Sequence, residues 1–340
     1  MKKLLPLAIA AALVAPAAAM ADATVFGKVH MIVQNYDNGS DSTWSTDSVF
    51  SRVGVKGSED LGDGLKAVYH LEFGVNPDAS GTLSNRNQFV GLAGGFGTVL
   101  AGRHDTPLKM SQGSFDEFGD LPWGDITRVM PGEDRLGNVL AYVSPNMSGL
   151  TIVGAAVAGE LGDTGNAATS DLTSLYDHIS LAGLYSNGPI FASLAYNSYD
   201  TGNLLAQSYS PSLLRATFVW NGGNWQAGAM YSNFSTDDLA GLDDVTSWGL
   251  SGHFMVTAND KIKAQYLSGD APVAHVDDLG VSFSPNITVA GGDDQVDMWS
   301  IGYEHSFSKR TYVHVGYTAY SVDSIADDQS AFFGGLVHSF

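Results

Sequence analysis

Apolar and polar residues alternate with a period of two along most of this chain. In residues 65–73 the odd positions are apolar, while Lys66, His70 and Glu72 share the opposite face. The same alternation occurs in three further segments, residues 214–220, 261–266 and 311–320. Successive side chains of a strand point to opposite faces, so these segments are predicted strands with one apolar face. Beyond the first residues no helical stripe is evident, and the pattern predicts an all-β protein.

Short turns and long polar segments alternate between the predicted strands. Seven turns rich in Gly, Asn, Asp or Pro are predicted at 60–64, 94–97, 145–149, 187–188, 222–223, 258–260 and 308–310. Eight longer polar loops are predicted near 37–47, 77–84, 105–133, 160–176, 200–211, 235–245, 271–294 and 323–328. Seven turns and eight loops join sixteen strands. Strand boundaries predicted in this way are accurate only to a few residues, so fourteen or eighteen strands are alternatives. This layout is typical of a transmembrane, antiparallel up-and-down β-barrel, and sixteen strands enclose a water-filled lumen.

Residues 1–21 have the pattern of a secretory signal peptide. Lys2 and Lys3 precede a short apolar run, and small residues follow at both positions that a signal peptidase reads. Cleavage is predicted before Asp22, which leaves residues 22–340 as a single barrel domain. A membrane anchor, the alternative, would need roughly 20 apolar residues.

The composition agrees with a sheet that has one face in lipid and one in water. Removal of the two signal-peptide lysines changes the formal net charge from −20 to −22, and charged residues make up only 15% of the chain. The chain has no cysteine, and no later stretch is long enough for a transmembrane helix, which excludes a helical inner-membrane protein. A sequence pI near 4.5 without a basic stripe excludes nucleic acid as a partner.

The C-terminal residues alternate up to the end of the chain. Phe332, Leu336, His338 and Phe340 fall on one face of a predicted last strand. A terminal aromatic on such a strand resembles the signal that outer-membrane proteins present to the barrel-assembly machinery, although an aromatic is more usual at the position of His338. Phe340 and Leu336 are therefore the candidate assembly signal. The alternative is an edge strand that ends in Phe by chance.

Over its whole mature length the chain resembles the Gram-negative general porins, which are trimeric barrels of sixteen strands. The likeness rests on the order and spacing of short segments: Phe26-Gly27-Lys28, residues 51–57, 89–92, 97–103, 135–138 and 142–145, and Gly149. The resemblance implies a homotrimer in the outer membrane, surrounded by lipid and lipopolysaccharide. It also implies a channel for ions and small hydrophilic solutes that needs no cofactor.

The resemblance further implies that the third loop, residues 105–133, folds into the barrel and narrows it. A stretch of 29 residues without an obvious strand is long for a plain connection, which favours a functional loop. Glu117-Phe118-Gly119 is similar to the loop-tip motif of the family. The acidic candidates for the constriction are Asp116, Glu117, Asp120 and Asp125. The basic candidates on the facing wall are Arg52, Arg86 and Arg135, which match family positions, together with Arg103, Lys28 and Lys56.

The alternation supports part of this assignment. Arg52 and Lys56 share one face of their strand, and Val53 and Val55 share the other. The alternation does not assign Arg135 to a face, because both faces of its strand carry apolar residues. An arginine in hydrocarbon would cost several kcal/mol, so the lumen is the expected place for these side chains. Opposed acids and bases would order water across the pore and favour polar solutes. Alternatively, the same charges pair and hold the loop in place.

The predicted function is a general diffusion porin with mild cation preference. A substrate-specific channel is one alternative, which an aromatic ladder inside the pore or a lysine-rich constriction would favour. A barrel enzyme is a weaker alternative, because the sequence has no His-Glu-x-x-His or Gly-x-Ser-x-Gly motif and no persuasive Ser–His pair. No metal site is expected.

Paired aspartates are a second recurring feature of the predicted long loops. They occur at residues 237–238, 243–244, 277–278, 293–294 and 327–328. Such pairs are either a solvated surface or sites where divalent cations bridge to anionic lipopolysaccharide, because hard cations prefer carboxylate oxygens.

Overall fold

The computed structural model describes residues 23–78, 81, 83–158, 174–199, 211–235, 244–270, 295–323 and 328–340. The predicted signal peptide, residues 1–21, lies outside these ranges. Most of the described residues belong to one antiparallel sheet in which neighbours in sequence are neighbours in space and the last strand pairs with the first. The sheet is therefore a closed up-and-down barrel.

Seventeen strand segments form this sheet within the described part of the chain. They are β1 (Thr24–Asp37), β2 (Ser42–Ser48), β3 (Arg52–Gly62), β4 (Leu65–Gly74), β5 (Ser84–Gly94), β6 (Gly97–Asp105), β7 (Arg135–Val143), β8 (Leu150–Val157), β9 (His178–Asn187), β10 (Ile190–Tyr199), β11 (Ser212–Asn221), β12 (Trp225–Ser235), β13 (Val245–Met255), β14 (Asp260–Asp270), β15 (Gln295–Ser306), β16 (Thr311–Val322) and β17 (Gln329–Ser339).

Two of the segments, β2 and β3, are parts of a single span. The second half of β1 pairs with β2 and its first half pairs with β3. The break between them contains Phe50, whose φ of 49° lies in the left-handed region. The barrel accordingly has sixteen spans, as predicted. The predicted loop at 37–47 is wrong over much of its length, because β1 extends to Asp37 and β2 begins at Ser42.

The two ends of the chain close the barrel. β1 and β17 pair antiparallel from Lys28↔Ser339 to Asp37↔Ser330. Beyond this register the Gly27 N–H donates to the Phe340 carbonyl, and the Phe340 N–H donates to the Gly27 carbonyl, both at 3.0 Å. The terminal residue thus completes the hydrogen-bonded ring.

The two faces of the sheet differ as the alternation predicts. In β11, Leu214, Phe218 and Trp220 are exposed on one face, whereas Arg215 and Val219 on the other are buried. Because the sheet is closed, the exposed apolar face points outward, and the polar face points inward. Among the described residues, no helix has the length and apolar character needed to cross a bilayer.

Residues 106–134, between β6 and β7, contain a helix α1 (Pro107–Met110) and a 3₁₀ turn (Ile126–Arg128). Thr106 caps α1, because its hydroxyl accepts a hydrogen bond from the Lys109 N–H at 3.2 Å and Pro107 suits the first helical position. At the base of the segment the Thr106 N–H donates to the Asp134 carbonyl at 3.1 Å.

The apolar side chains of residues 106–134 pack against inward-facing wall residues. Leu108 lies in a cluster with residues of β9 to β13, and Phe115, Ile126 and Met130 lie with residues of β11, β12 and β14 to β16. Phe118 packs with residues of β1 and β17. These apolar contacts reach more than half of the barrel circumference, and none of them is made to β3 to β7.

Candidate functional site

Between residues 106–134 and the wall of β3 to β7 lies an open cavity of about 660 Å³. Its charged lining residues on the wall are Arg52, Arg86, Arg103, Asp105 and Arg135. Its charged lining residues from the segment are Lys109, Asp116, Asp120, Asp125 and Glu133. The structure therefore brings seven of the ten predicted constriction residues to one cavity, where five bases and five acids are mixed.

Asp120 connects the segment directly to the basic wall. Its Oδ2 accepts from Lys28 Nζ at 2.5 Å and from Arg52 Nη1 at 3.0 Å. Burial opposes ionisation of this carboxyl, but Lys28 and Arg52 outweigh it and lower the pKa of Asp120 to about 2. Asp120 is therefore an anion throughout the physiological pH range.

Two further wall arginines pair with acids of the wall itself. Arg86 Nε contacts Glu72 Oε1, and Arg135 Nε lies 2.9 Å from Asp105 Oδ1. Arg103 differs, since within the described ranges no carboxylate forms an ion pair with it and its buried Nε has no hydrogen-bond partner. Arg103 therefore lines the cavity without an ion pair of its own, with Asp105 as a neighbouring charge.

Asp116 and Asp125 bind the backbone of their own segment. Asp116 accepts from the Phe118 N–H at 3.0 Å, and Asp125 accepts from the Asp120 N–H at 3.0 Å and the Thr127 N–H at 2.9 Å. Burial raises the pKa of Asp116, and the neighbouring Asp125 raises it further. Burial also raises the pKa of Asp125 against its hydrogen bonds. Their geometry indicates a part in shaping the segment in addition to lining the cavity.

Glu117 lies against the opposite wall rather than in the cavity lining. Its Oε1 is 2.6 Å from His253 Nδ1 and accepts from Gln226 Nε2 at 2.8 Å, while Lys263 Nζ donates to its carbonyl at 2.7 Å. Of the remaining basic candidates, Lys28 binds Asp120, and Lys56 Nζ lies 5.2 Å from the centroid of the Phe26 ring.

The most deeply buried ion pair of the described residues, Arg215–Glu133, was not predicted from the sequence. Arg215 has no exposed surface; its Nη1 lies 2.5 Å from Glu133 Oε1, and its Nη2 donates to the Pro131 carbonyl at 2.6 Å. The sequence places Arg215 on the polar face of β11, but it does not show which loop acid would meet it. Glu72 and Asp105, the partners of Arg86 and Arg135, were also missed, because both lie near strand ends without a motif.

The other sequence predictions fall on the outer face or outside the described residues. Leu336 and Phe340 are exposed, on the outward face of the barrel. Of the paired aspartates, only Asp244 and Asp328 are described. Within the described ranges, no group of three or more His, Asp or Glu side chains could hold a metal ion.

Comparisons with known proteins agree on one family. The family model described as Gram-negative porin matches residues 8–324. The chain is 30% identical to the outer membrane porin protein 32 of Delftia acidovorans, over 92% of this chain and 87% of that protein. It is also 30% identical to a major outer membrane protein P.IB of Neisseria gonorrhoeae, over 91% and 90% of the two chains.

Solved structures share the fold at low sequence identity. The structure of Salmonella typhi OmpF in complex with daunomycin matches with a TM-score of 0.69 at 15% identity, covering 94% of this chain and 97% of that one. A trimer form of Vibrio cholerae OmpT matches with a TM-score of 0.66 at 15% identity, covering 94% and 99%.

Proposed function

Because the chain belongs to the Gram-negative porin family and forms a closed sixteen-span barrel in the outer membrane, we propose that it is a general diffusion porin. It forms a water-filled channel for ions and small hydrophilic solutes. The observation that carries the proposal is the open, charged cavity between residues 106–134 and the wall of β3 to β7. A cavity lined by equal numbers of acids and bases suits many polar solutes rather than one.

Residues 106–134 are the constriction in this proposal. Their apolar side chains pack against the wall from β9 around to β1, so the remaining passage is the cavity lined by Arg86, Arg103 and Arg135, beside the Asp120–Arg52 contact. Charges across a narrow passage orient water, which a polar solute replaces more easily than an apolar one. Several of the charges also form ion pairs, so the same groups hold the segment and line the passage.

A mild preference for cations is part of the proposal. The ten charged residues of the cavity balance formally, so the rest of the molecule sets the sign of the field. The chain without its signal peptide carries −22, and acidic side chains raise the cation concentration near a pore mouth within a Debye length of about 10 Å at 0.1 M salt.

The partners in this proposal are those of a barrel in the outer membrane. The protein forms a homotrimer with closed three-fold symmetry, as the trimer form of the Vibrio cholerae protein suggests. Its outer face contacts lipid, and aspartates of the long loops bridge to lipopolysaccharide through divalent cations. Phe340 and Leu336 present the last strand to the barrel-assembly machinery. The protein acts as a channel and not as an enzyme, which the porin relatives support.

Planar-bilayer recording of the purified protein tests the pore, the trimer and the ion preference together. We expect stepwise channel insertion in KCl and closure at high voltage in three equal steps. In a tenfold KCl gradient the reversal potential should have the sign of cation preference but stay well below the ideal value of about 59 mV.

Each outcome contradicts a different part of the proposal. Absence of channels from folded protein would refute the porin function. Closure in one step would refute the trimer, and a reversal potential of the opposite sign would refute the cation preference.

A further inference from the structure

Four aromatic or imidazole rings form a continuous row on the inner wall of the barrel. The ring centroids of Phe26 and His70 are 5.1 Å apart, those of His70 and Phe89 are 5.5 Å apart, and those of Phe89 and His104 are 5.0 Å apart. The planes of His70 and Phe89 differ by only 5°, so these two rings are stacked. We call Phe26, His70, Phe89 and His104 the aromatic stripe.

The aromatic stripe faces the lumen and not the lipid. His70 and Phe89 are direct partners in the pairing of β4 and β5, so their side chains share a face. The neighbours of Phe89 and Phe26 on the opposite face, Val90 and Val25, are exposed on the outer surface. All four rings of the stripe are only partly buried, so they present ring surface to the water-filled interior.

The row runs obliquely from the constriction toward the turn end of the barrel. His104 is next to last in β6 and lies just before residues 106–134, whereas Phe26 is the third residue of β1. Between them the row crosses β5, β4 and β3, which is roughly 19 Å at the usual strand spacing. Since barrel strands tilt by about 35–45°, a row perpendicular to them also advances along the pore axis.

Cationic groups stand at both ends of the aromatic stripe. At the constriction end, Arg103 precedes His104 and lines the cavity; within the described part of the chain it forms no ion pair, and its Nε has no hydrogen-bond partner. At the other end, Lys56 Nζ lies 5.2 Å from the Phe26 ring centroid. Arginine and lysine attract carboxylates, and arginine also stacks on flat rings.

We propose that the aromatic stripe is a binding track for aromatic carboxylates, which gives this channel a preference for them over other anions of equal size. Arg103 takes the carboxylate at the constriction, and the solute ring stacks on His104 and Phe89. The inference rests on the proposed channel function, to which it adds a substrate class: the pore passes small polar solutes in general and favours one class among them, a step toward the substrate-specific alternative. Phenyl and imidazole faces recognise an aromatic ring through stacking, whereas a saturated ring gains only apolar contact.

Block of the ion current measures this binding directly. The trimer is held in planar bilayers in KCl at pH 7, where both acids are ionised, and titrated with potassium benzoate or potassium cyclohexanecarboxylate. These anions have the same charge and similar size. We expect benzoate to reach half-block at a concentration about two- to tenfold lower, the range that ring–ring contacts contribute beyond apolar burial.

Single-residue variants identify which side chains cause the difference in block between the two acids. Phe89→Leu keeps apolar volume without a ring and should bring the two half-blocking concentrations together. Arg103→Gln should raise both concentrations and leave their ratio in place. Phe218→Leu, on the outward face of β11, is the matched control and should behave as wild type. If Phe89→Leu fails to fold, His104→Leu provides the same comparison, because His104 is the other ring on which the solute stacks.

The outcomes separate this proposal from the channel function. Equal half-block by the two acids in wild-type channels, or an unchanged preference in Phe89→Leu, would overturn the aromatic track while leaving a conducting porin. Failure of folded wild-type protein to conduct KCl would instead overturn the proposed function.

Discussion

At the level of single residues, the charged groups of the cavity are mostly committed to partners. Asp120 contacts two bases, Arg86 contacts Glu72, and Arg135 contacts Asp105. An ion pair in a partly open site contributes less than its distance suggests, because water and salt screen it. Asp120 is the exception with the largest expected effect, since it joins the segment to the wall and has two cationic partners.

We expect Asp120→Asn to destabilise the protein and to shift ion preference toward anions. The lost charged hydrogen bonds correspond to roughly 1–3 kcal/mol in the free energy of unfolding. The folded pKa of about 2 lies below the ordinary value of about 3.9, so this stabilisation is present above pH 4 and disappears as the pH falls through about 2. Urea unfolding in detergent from pH 7 to pH 2, with reversal potentials at pH 7, measures both effects.

Asp63→Asn provides the control, because Asp63 is exposed in the turn between β3 and β4. It removes the same charge without a buried partner and should leave stability within about 0.5 kcal/mol of wild type. Equal behaviour of the two variants would show that Asp120 does not anchor the segment.

At the level of elements, residues 106–134 supply the apolar side chains that pack inside the barrel. Sixteen strands enclose too much space for their own side chains to fill. Leu108, Phe115 and Phe118 are wholly buried against the wall. The buried Arg215–Glu133 pair fixes the C-terminal end of the segment, and Asp120 fixes its middle. Apolar packing therefore supplies the area of contact, and the ion pairs determine the register of the segment on the wall.

Single changes in the Arg215–Glu133 pair should be more harmful than the double change. Arg215→Met leaves a buried carboxylate alone, and Glu133→Gln leaves a buried guanidinium alone, each at a cost of about 3–5 kcal/mol. The double variant Arg215→Met/Glu133→Gln removes both charges and should recover part of that loss. Free energies of unfolding for the four proteins form the cycle. Strict additivity of the two single effects would contradict a coupled pair.

At the level of the whole molecule, stability depends on closure of the ring of strands. A closed barrel has no unpaired strand edge in the hydrocarbon, where each unsatisfied backbone group would cost several kcal/mol. Closure here extends to the last residue, because Phe340 and Gly27 exchange two backbone hydrogen bonds. The Phe340 ring also lies where a side chain on Gly27 would be, so a larger residue at position 27 would meet it.

Removal of Phe340 should lower the amount of folded protein in the outer membrane. The deletion loses both hydrogen bonds to Gly27 and the terminal aromatic of the proposed assembly signal. Heat-modifiable protein on gels of outer-membrane fractions measures the yield. Phe340→Ala separates the causes, since it keeps the backbone pairing and removes only the ring. Unchanged yield in both variants would contradict a role of Phe340 in assembly.

The sequence alone determined the class of fold, favoured sixteen spans and assigned most strand residues, but not Arg135, to one side of the sheet. Period-two alternation and turn residues are local signals, and a bilayer imposes the same rule on every strand. These signals put Arg52 and Lys56 on one face, and the seven turns together with the eight loops gave the sixteen spans. The β2–β3 break at Phe50 was not evident from the sequence, because a kink of a few residues produces no periodic pattern of apolar and polar residues.

Tertiary structure alone decided which charges meet. Ion pairs such as Arg215–Glu133 and Lys28–Asp120 join residues 82 and 92 positions apart in sequence. Their pairing depends on how residues 106–134 lie across the barrel, and no periodic pattern encodes that. The aromatic stripe arises in the same way, because its rings come from four strands and only the register of those strands brings them into contact. Local sequence pattern indicates which face of the sheet a side chain lies on. Which residue that side chain contacts across the barrel depends on how the closed ring of strands is arranged.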